Sequence, residues 1–191
     1  LGSKILIQSW NMTQNRFLFF TFGIPGEDDC GILNIPNRIY NLQKNVNSTA
    51  TCYNIIANNI TLDCLGYAIN YSTQGLDGPG INITSNNSQV KNCNLIEEMP
   101  SLDPTPAPIK KPSILIKNAR NTFLLKNNIS TKGNSYPGIY VDTGSQMNFS
   151  QNNIIASNGS GIFMNNANQS LIYGSKIILK NASTQGISLI L

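Results

Sequence analysis

The side chains able to do chemistry are few and scattered. Nine acids stand at Glu27, Asp28, Asp29, Asp63, Asp77, Glu97, Glu98, Asp103 and Asp142, and the chain has no histidine. That removes the commonest general base and metal ligand. Polysaccharide-cleaving enzymes gather carboxylates, often around a cation or beside a basic residue. Here only Asp63 and Asp142 fall inside the regular part of the chain, on different predicted strands. Lys91, Lys117 and Lys126 have no obvious carboxylate constellation. Glu27-Asp28-Asp29 offers oxygen donors for a cation, but a solvated acidic turn is the simpler reading. The expectation is no catalytic residue, no metal site and no cofactor.

Two other residue types carry a pattern. The four cysteines, Cys30, Cys52, Cys64 and Cys93, contain no Cys-x-x-Cys pair and find no histidine to complete a metal site. They read as disulfides of an oxidising compartment. Of the three possible pairings, Cys30–Cys52 with Cys64–Cys93 is preferred, because the second pair would sit on neighbouring repeats. Asparagine is in excess, 29 of 191 residues. Eleven fall in Asn-x-Ser/Thr: Asn11, Asn47, Asn59, Asn70, Asn82, Asn86, Asn128, Asn148, Asn158, Asn168 and Asn181. Turn chemistry explains part of this excess, since asparagine suits tight corners. Asn82 lies between Ile81 and Ile83, and Asn148 between Met147 and Phe149, so both should face water. The pattern predicts N-glycans and hence an extracellular or cell-surface address.

These residues must be positioned by a repeat. Gly80-Ile81-Asn82-Ile83, Ser113-Ile114-Leu115-Ile116, Gly138-Ile139-Tyr140-Val141, Gly161-Ile162-Phe163-Met164 and Gly186-Ile187-Ser188-Leu189 begin 33, 25, 23 and 25 residues apart. Ile96, Ile129, Ile154 and Ile177 each follow the first isoleucine of a unit by 15 residues. A second apolar stretch falls between, around Val90, Phe123-Leu125, Met147-Phe149 and Leu171-Ile172. Self-similarity at this period marks a solenoid, and the alternation marks strands. The predicted fold is all-β, a parallel β-helix of about 5–6 coils with an N-terminal strand or cap segment. Ile81, Ile114, Ile139, Ile162 and Ile187 should form one interior column, with Ile83, Ile116, Val141, Met164 and Leu189 beside it. A β-sandwich is the alternative, but gives no reason for a fixed isoleucine offset.

Three regions follow. Residues 1–29 form an apolar strand segment, with Ile5, Ile7, Phe17, Phe19 and Phe20, that caps this chain or is donated to a neighbour. The start at Leu1, without methionine, reads as processed or truncated. Residues 30–191 form the solenoid, with a Pro-rich insertion at 97–113 holding five of the nine prolines. No polar cap follows Ile187, Leu189 and Leu191. Either the polypeptide runs on or another chain covers that end, and the second is the expectation here. The 13 basic residues are dispersed, with Lys110-Lys111 the one doublet, which gives nucleic-acid binding little support. No apolar run is long enough to span a bilayer as a helix.

Cys30-Gly31-Ile32-Leu33, Arg38-Ile39-Tyr40-Asn41-Leu42 and the run Cys52 to Ile69, with Asn59-Ile60-Thr61-Leu62-Asp63-Cys64-Leu65-Gly66-Tyr67-Ala68-Ile69, are similar to the opening of right-handed parallel β-helix surface proteins. These are common in archaea and belong to the pectate-lyase-like superfamily. The likeness continues through Val90-Lys91-Asn92-Cys93-Asn94-Leu95-Ile96 and covers about 160 residues. It implies the fold and its right hand, but no particular activity, because such folds host many functions. Three functions are carried forward. One is a non-catalytic, glycosylated structural protein polymerising head to tail with itself. The second is an adhesin or carbohydrate-binding module using Tyr67, Tyr71, Tyr136 and Tyr140 against extracellular polysaccharide. The third is a polysaccharide lyase or hydrolase.

Overall fold

The computed structural model describes residues 27–99, 112–134, 136–180 and 185–190, together with the short strands Ile5–Leu6 and Phe19–Phe20. From Gly31 onward the chain winds through parallel strands, three to a coil. Coil 1 holds Gly31–Leu33, Ile39–Asn41 and Val46–Asn47. Coil 2 holds Tyr53–Ile55, Thr61–Asp63 and Ala68–Tyr71. Coil 3 holds Ile81–Ile83, Gln89–Lys91 and Asn94–Glu97. Coil 4 holds Ile114–Arg120, Phe123–Leu125 and Asn128–Asn134. Coil 5 holds Ile139–Ser145, Asn148–Ser150 and Asn153–Asn158. Coil 6 holds Ile162–Asn168, Leu171–Tyr173 and Lys176–Leu179, and Ile187–Ile190 opens a seventh. Equivalent strands stack into one seven-stranded and two six-stranded parallel sheets, which is the parallel β-helix.

The columns stand where the alternation places them. Tyr53, Ile81, Ile114, Ile139, Ile162 and Ile187 are in register along the first sheet, with Leu33, Ile55, Ile83, Ile116, Val141, Met164 and Leu189 beside them. Tyr40, Leu62, Val90, Leu124, Phe149 and Ile172 line the second sheet. The third column differs from expectation by one residue. Leu95, not Ile96, stands in register with Ile69, Ile129, Ile154 and Ile177. The reason is the first corner, where Val90 follows Ile81 by nine residues but Leu124 follows Ile114 by ten. Ile96 is thereby turned half outward.

Corners are built from residues that tolerate a left-handed backbone. Asn37, Asn59, Asn87, Asn121, Gln146 and Gln169 all have positive φ and stack at the corner before the second sheet. Asparagine is among the few non-glycine residues that visit this region readily. The glycines before the first-sheet strands have another cause. A Cβ on Gly80 would meet the Ser113 carbonyl oxygen at 2.8 Å and the Tyr71 ring at 2.9 Å, and one on Gly138 would meet Ile154 Cγ2 at 2.6 Å. Close packing between coils, not positive φ, excludes a side chain there.

Candidate functional site

Both disulfides join adjacent coils. Cys30–Cys52 and Cys64–Cys93 each have Cα atoms 4.7 Å apart, the pairing preferred from the sequence. After Cys93, the same corner is occupied in later coils by Asn127, Asn152 and Ser175. Cys93 N donates to Asn127 Oδ1 at 3.1 Å, and Asn127 donates through N and Nδ2 to Asn152 Oδ1 at 3.0 Å each. Asn152 N donates to Ser175 Oγ at 3.2 Å, while the two Nδ2 groups also reach the carbonyls of Val90 and Leu124. A bridge thus passes into a buried amide ladder along one edge of the rod. The sequence reading counted these asparagines only as composition. Their signal was a fixed offset, since Cys93, Asn127, Asn152 and Ser175 stand three residues after Val90, Leu124, Phe149 and Ile172.

The acids are taken up by the same rung-to-rung bonding. In-register pairing sets Lys91 opposite Asp63 and Lys117 opposite Asp142, with Nζ–carboxylate distances of 3.2 and 3.7 Å. Each is a single ion pair between rungs, with one carboxylate per lysine, which the sequence spacing did not reveal. Their strands are consecutive in register although a whole coil separates them in sequence. Burial would raise the Asp63 carboxyl, but hydrogen bonds from Asn92 Nδ2 and Leu65 N, together with Lys91, outweigh it and hold it below the usual range. Asp142 Oδ1 also accepts from Asn165 Nδ2 at 3.3 Å. Glu27 faces Arg38 at 3.8 Å, and Asp29 Oδ1 accepts from Cys30 N at 2.8 Å, so this acidic turn serves the entry to coil 1.

Glu97 was placed in the insertion, yet it ends a coil-3 strand and is wholly buried. Its Oε2 accepts from Lys132 N at 2.7 Å, and it stands in register with Tyr71. The Tyr71 hydroxyl shares a 2.9 Å hydrogen bond with Ser113 Oγ, and burial, then the nearby Glu97 charge, push its pKa up. Residues 100–111 of the insertion lie outside the described residues. Among the described residues no three acids or cysteines converge as metal ligands would. Asp63 and Asp142 sit on different sheets, as expected.

Asn47, Asn59, Asn128 and Asn168 are exposed, while Asn70, Asn82, Asn86, Asn148 and Asn158 are half-buried on the rod's outside. Several bond along the axis: Asn59 Nδ2 donates to Asn37 Oδ1, Asn70 to Asn47 and Asn82 to Asn54, at 2.7 to 3.1 Å. Asn11 and Asn181 lie outside the described residues. The four tyrosines do not share a face. Tyr71 and Tyr136 are buried, filling the interior and a corner, and Tyr67 and Tyr140 lie on different sides. Tyr140 instead packs against Phe163 on the outer face of the first sheet, ring centroids 5.4 Å apart and ring planes tilted by 55°. A polar groove of about 310 Å³, lined by Asn118, Arg120, Thr143, Ser145, Asn166 and Asn168, lies at the carboxyl-terminal ends of the strands Ile114–Arg120, Ile139–Ser145 and Ile162–Asn168.

At the far end Ile187, Leu189 and Ile190 are 44, 60 and 51 % exposed. Ile5–Leu6 pairs antiparallel with Phe19–Phe20. Ile7, Phe17 and Leu191 lie outside the described residues.

The stacked parallel coils and the family comparison now agree, for residues 79–190 match the family model described as right handed beta helix region. The chain belongs to that right-handed β-helix family. No curated protein and no solved structure matches it. Within the family reading, coils 1 and 2 lie upstream of the matched span but continue the same sheets in register. Among the described residues no helix is long and apolar enough to cross a membrane.

Proposed function

We propose that this β-helix is a non-catalytic, N-glycosylated structural protein of the extracellular surface, a subunit of a filament or sheath built head to tail. One observation carries the reading. Among the described residues the Ile187–Ile190 strand pairs on one side only, with Ile162–Asn168, and leaves Ile187 and Leu189 exposed where their counterparts Ile162 and Met164 are covered. A strand edge with such a face recruits further strands. The contributing residues are Ile187, Leu189 and Leu191 on one copy, with Ile5, Ile7, Phe17, Phe19 and Phe20 of the next. Such a heterologous contact makes an open polymer. Two disulfides support an oxidising compartment. The acids support a non-catalytic role because Asp63, Asp142, Glu27 and Glu97 are each engaged by neighbouring coils.

Sedimentation and negative-stain images of the native protein test this. Rods several coils-lengths long, lost on Leu189→Lys, are the expected outcome, and stable monomers at every concentration would sink it. Further coils of a longer polypeptide would cover the same face. In that case the intact polypeptide is a longer monomeric rod, which its mass separates from a polymer.

The Tyr140–Phe163 pair, on the same strands that line the polar groove at their other end, favours a second reading, a carbohydrate-binding surface. Aromatic faces with adjacent amides and hydroxyls suit sugar rings. Glycan-array binding lost on Tyr140→Ala would replace the filament reading with this one.

A further inference from the structure

We propose that a glycan on Asn148 covers an apolar patch on the outer face of the second sheet. The outward side chains of three successive rungs meet there. Coil 4 supplies Phe123 and Leu125, coil 5 Asn148 and Ser150, and coil 6 Leu171 and Tyr173. They stand in register as Phe123–Asn148–Leu171 and Leu125–Ser150–Tyr173. Phe123, Leu171 and Tyr173 are 39, 55 and 58 % exposed, and Leu125 is half-buried. Apolar side chains exposed singly need no explanation, whereas contiguous ones mark a surface that something covers.

The polar rung between the two apolar ones is the acceptor triplet Asn148-Phe149-Ser150, with Phe149 turned into the core. Neighbouring rungs lie about 4.8 Å apart. The first sugar on Asn148 therefore reaches Phe123 on one side and Leu171 on the other. Asn148 Oδ1 is buried, which leaves Nδ2, the atom that carries an N-glycan, as the outer end of the side chain. That amide is also uncommitted. Asn59, Asn70 and Asn82 each spend Nδ2 on an asparagine of the preceding rung, and Asn148 Nδ2 makes no such bond among the described residues.

Earlier in the same two columns stand Thr61, Gln89, Asp63 and Lys91, polar or charged, with no acceptor asparagine among them. Apolar surface and acceptor thus coincide on coils 4 to 6. None of the six outward positions there carries a charge, which suits a neutral sugar. A pyranose ring has an apolar face of C–H groups, and laying it on Phe123, Leu171 and Tyr173 takes both surfaces out of water. By contrast Asn128 is flanked in register by Asn94 and Asn153, so a glycan there has no apolar bed. The inference rests on the N-glycosylated part of the reading above. It adds that this one glycan is structural and keeps rods from meeting side by side.

Hydroxyl-radical oxidation of side chains, read by mass spectrometry, tests this on the full chain secreted from a host that attaches N-glycans. It is done at dilutions where sedimentation shows monomer. Leu171 and Leu65 make a matched pair of leucines, 55 and 57 % exposed. With Asn148 occupied, Leu171 should label several-fold slower than Leu65. Ser150→Ala abolishes the acceptor triplet but keeps the asparagine, and should raise Leu171 to the Leu65 rate. Ser130→Ala does the same to the Asn128 triplet and should leave Leu171 slow. Glycopeptide masses separate the two readings. If no asparagine carries sugar, N-glycosylation itself falls and this inference with it. If other asparagines carry sugar and Asn148 does not, or Asn148 is occupied and Leu171 labels as fast as Leu65, only this inference is overturned. Protection of Leu171 that persists in Ser150→Ala, or that appears only as copies associate, would also overturn it. Should Ser150→Ala fail to fold, Leu171 against Leu65 in the unaltered chain decides alone.

Discussion

Leu33 and Leu189 stand in the same interior column, six rungs apart, and only Leu33 is covered. Sequence context makes them equivalent, each the second inward residue of a first-sheet strand. Burial separates them. Truncation of a fully buried leucine removes its transfer energy and leaves a cavity, typically about 3 kcal/mol in sum. Leu33→Ala should therefore lower the unfolding free energy by about that much, whereas Leu189→Ala should cost less than about 1 kcal/mol. Urea denaturation of monomers checks the pair, and equal losses would mean that the two ends are alike.

Gly138 and Gly186 make a second matched comparison. Both precede an inward isoleucine. A Cβ on Gly138 would stand 2.9 Å from the Gly161 carbonyl oxygen as well as against Ile154, and one on Gly161 would press on Ile177, whereas nothing lies within 4 Å of one on Gly186. Overpacking of this kind costs about 1–3 kcal/mol. Gly138→Ala and Gly161→Ala should each lower the thermal midpoint, and Gly186→Ala should leave it near its starting value. A fall of similar size at Gly186 would contradict the packing argument.

Much of this fold was legible because a solenoid repeats its own instructions. The five turn-Ile-x-aliphatic units fixed the first-sheet columns, since the side-chain period of two leaves no freedom once one isoleucine points inward. The insertion's edge was misplaced at Glu97, because a buried acid reads as loop until its partner, the Lys132 amide 35 residues on, is known. Lys91–Asp63 and Lys117–Asp142 were missed for a similar reason. Each pair is adjacent only across a rung whose length varies from coil to coil. The tyrosines misled because Tyr71 is a strand residue facing inward, where its ring packs against Gly80.

Asn127 joins three rungs at once. Its Oδ1 accepts from Cys93 N, its Nδ2 donates to the Val90 carbonyl and Asn152 Oδ1, and the residue is 1 % exposed. Asn127→Ala leaves buried polar groups without partners, a loss of about 1–3 kcal/mol for each such group. Asn128→Ala, one position on and exposed, loses only an outward bond from Asn153. Chemical denaturation should rank Asn127→Ala well below Asn128→Ala in stability. An equal ranking would show the ladder to be incidental.

Acid should loosen the rod at Asp63. Its folded pKa lies below the ordinary carboxylate value of about 3.9, so folding favours the ionised form. A group lowered in this way contributes stability above its unfolded pKa and loses that contribution as pH falls through its folded pKa. Protonation there also releases the Lys91 ammonium and weakens the hydrogen bonds from Asn92 and Leu65. Thermal midpoints of the unaltered chain and of Asp63→Asn should differ most near neutrality and approach one another as pH falls through the lowered folded pKa of Asp63. The Lys91→Met variant should narrow the same gap, because Lys91 supplies part of the lowering while the two hydrogen bonds remain. A gap that stays constant across the acid range would show that Asp63 titrates alike in the folded and unfolded chain.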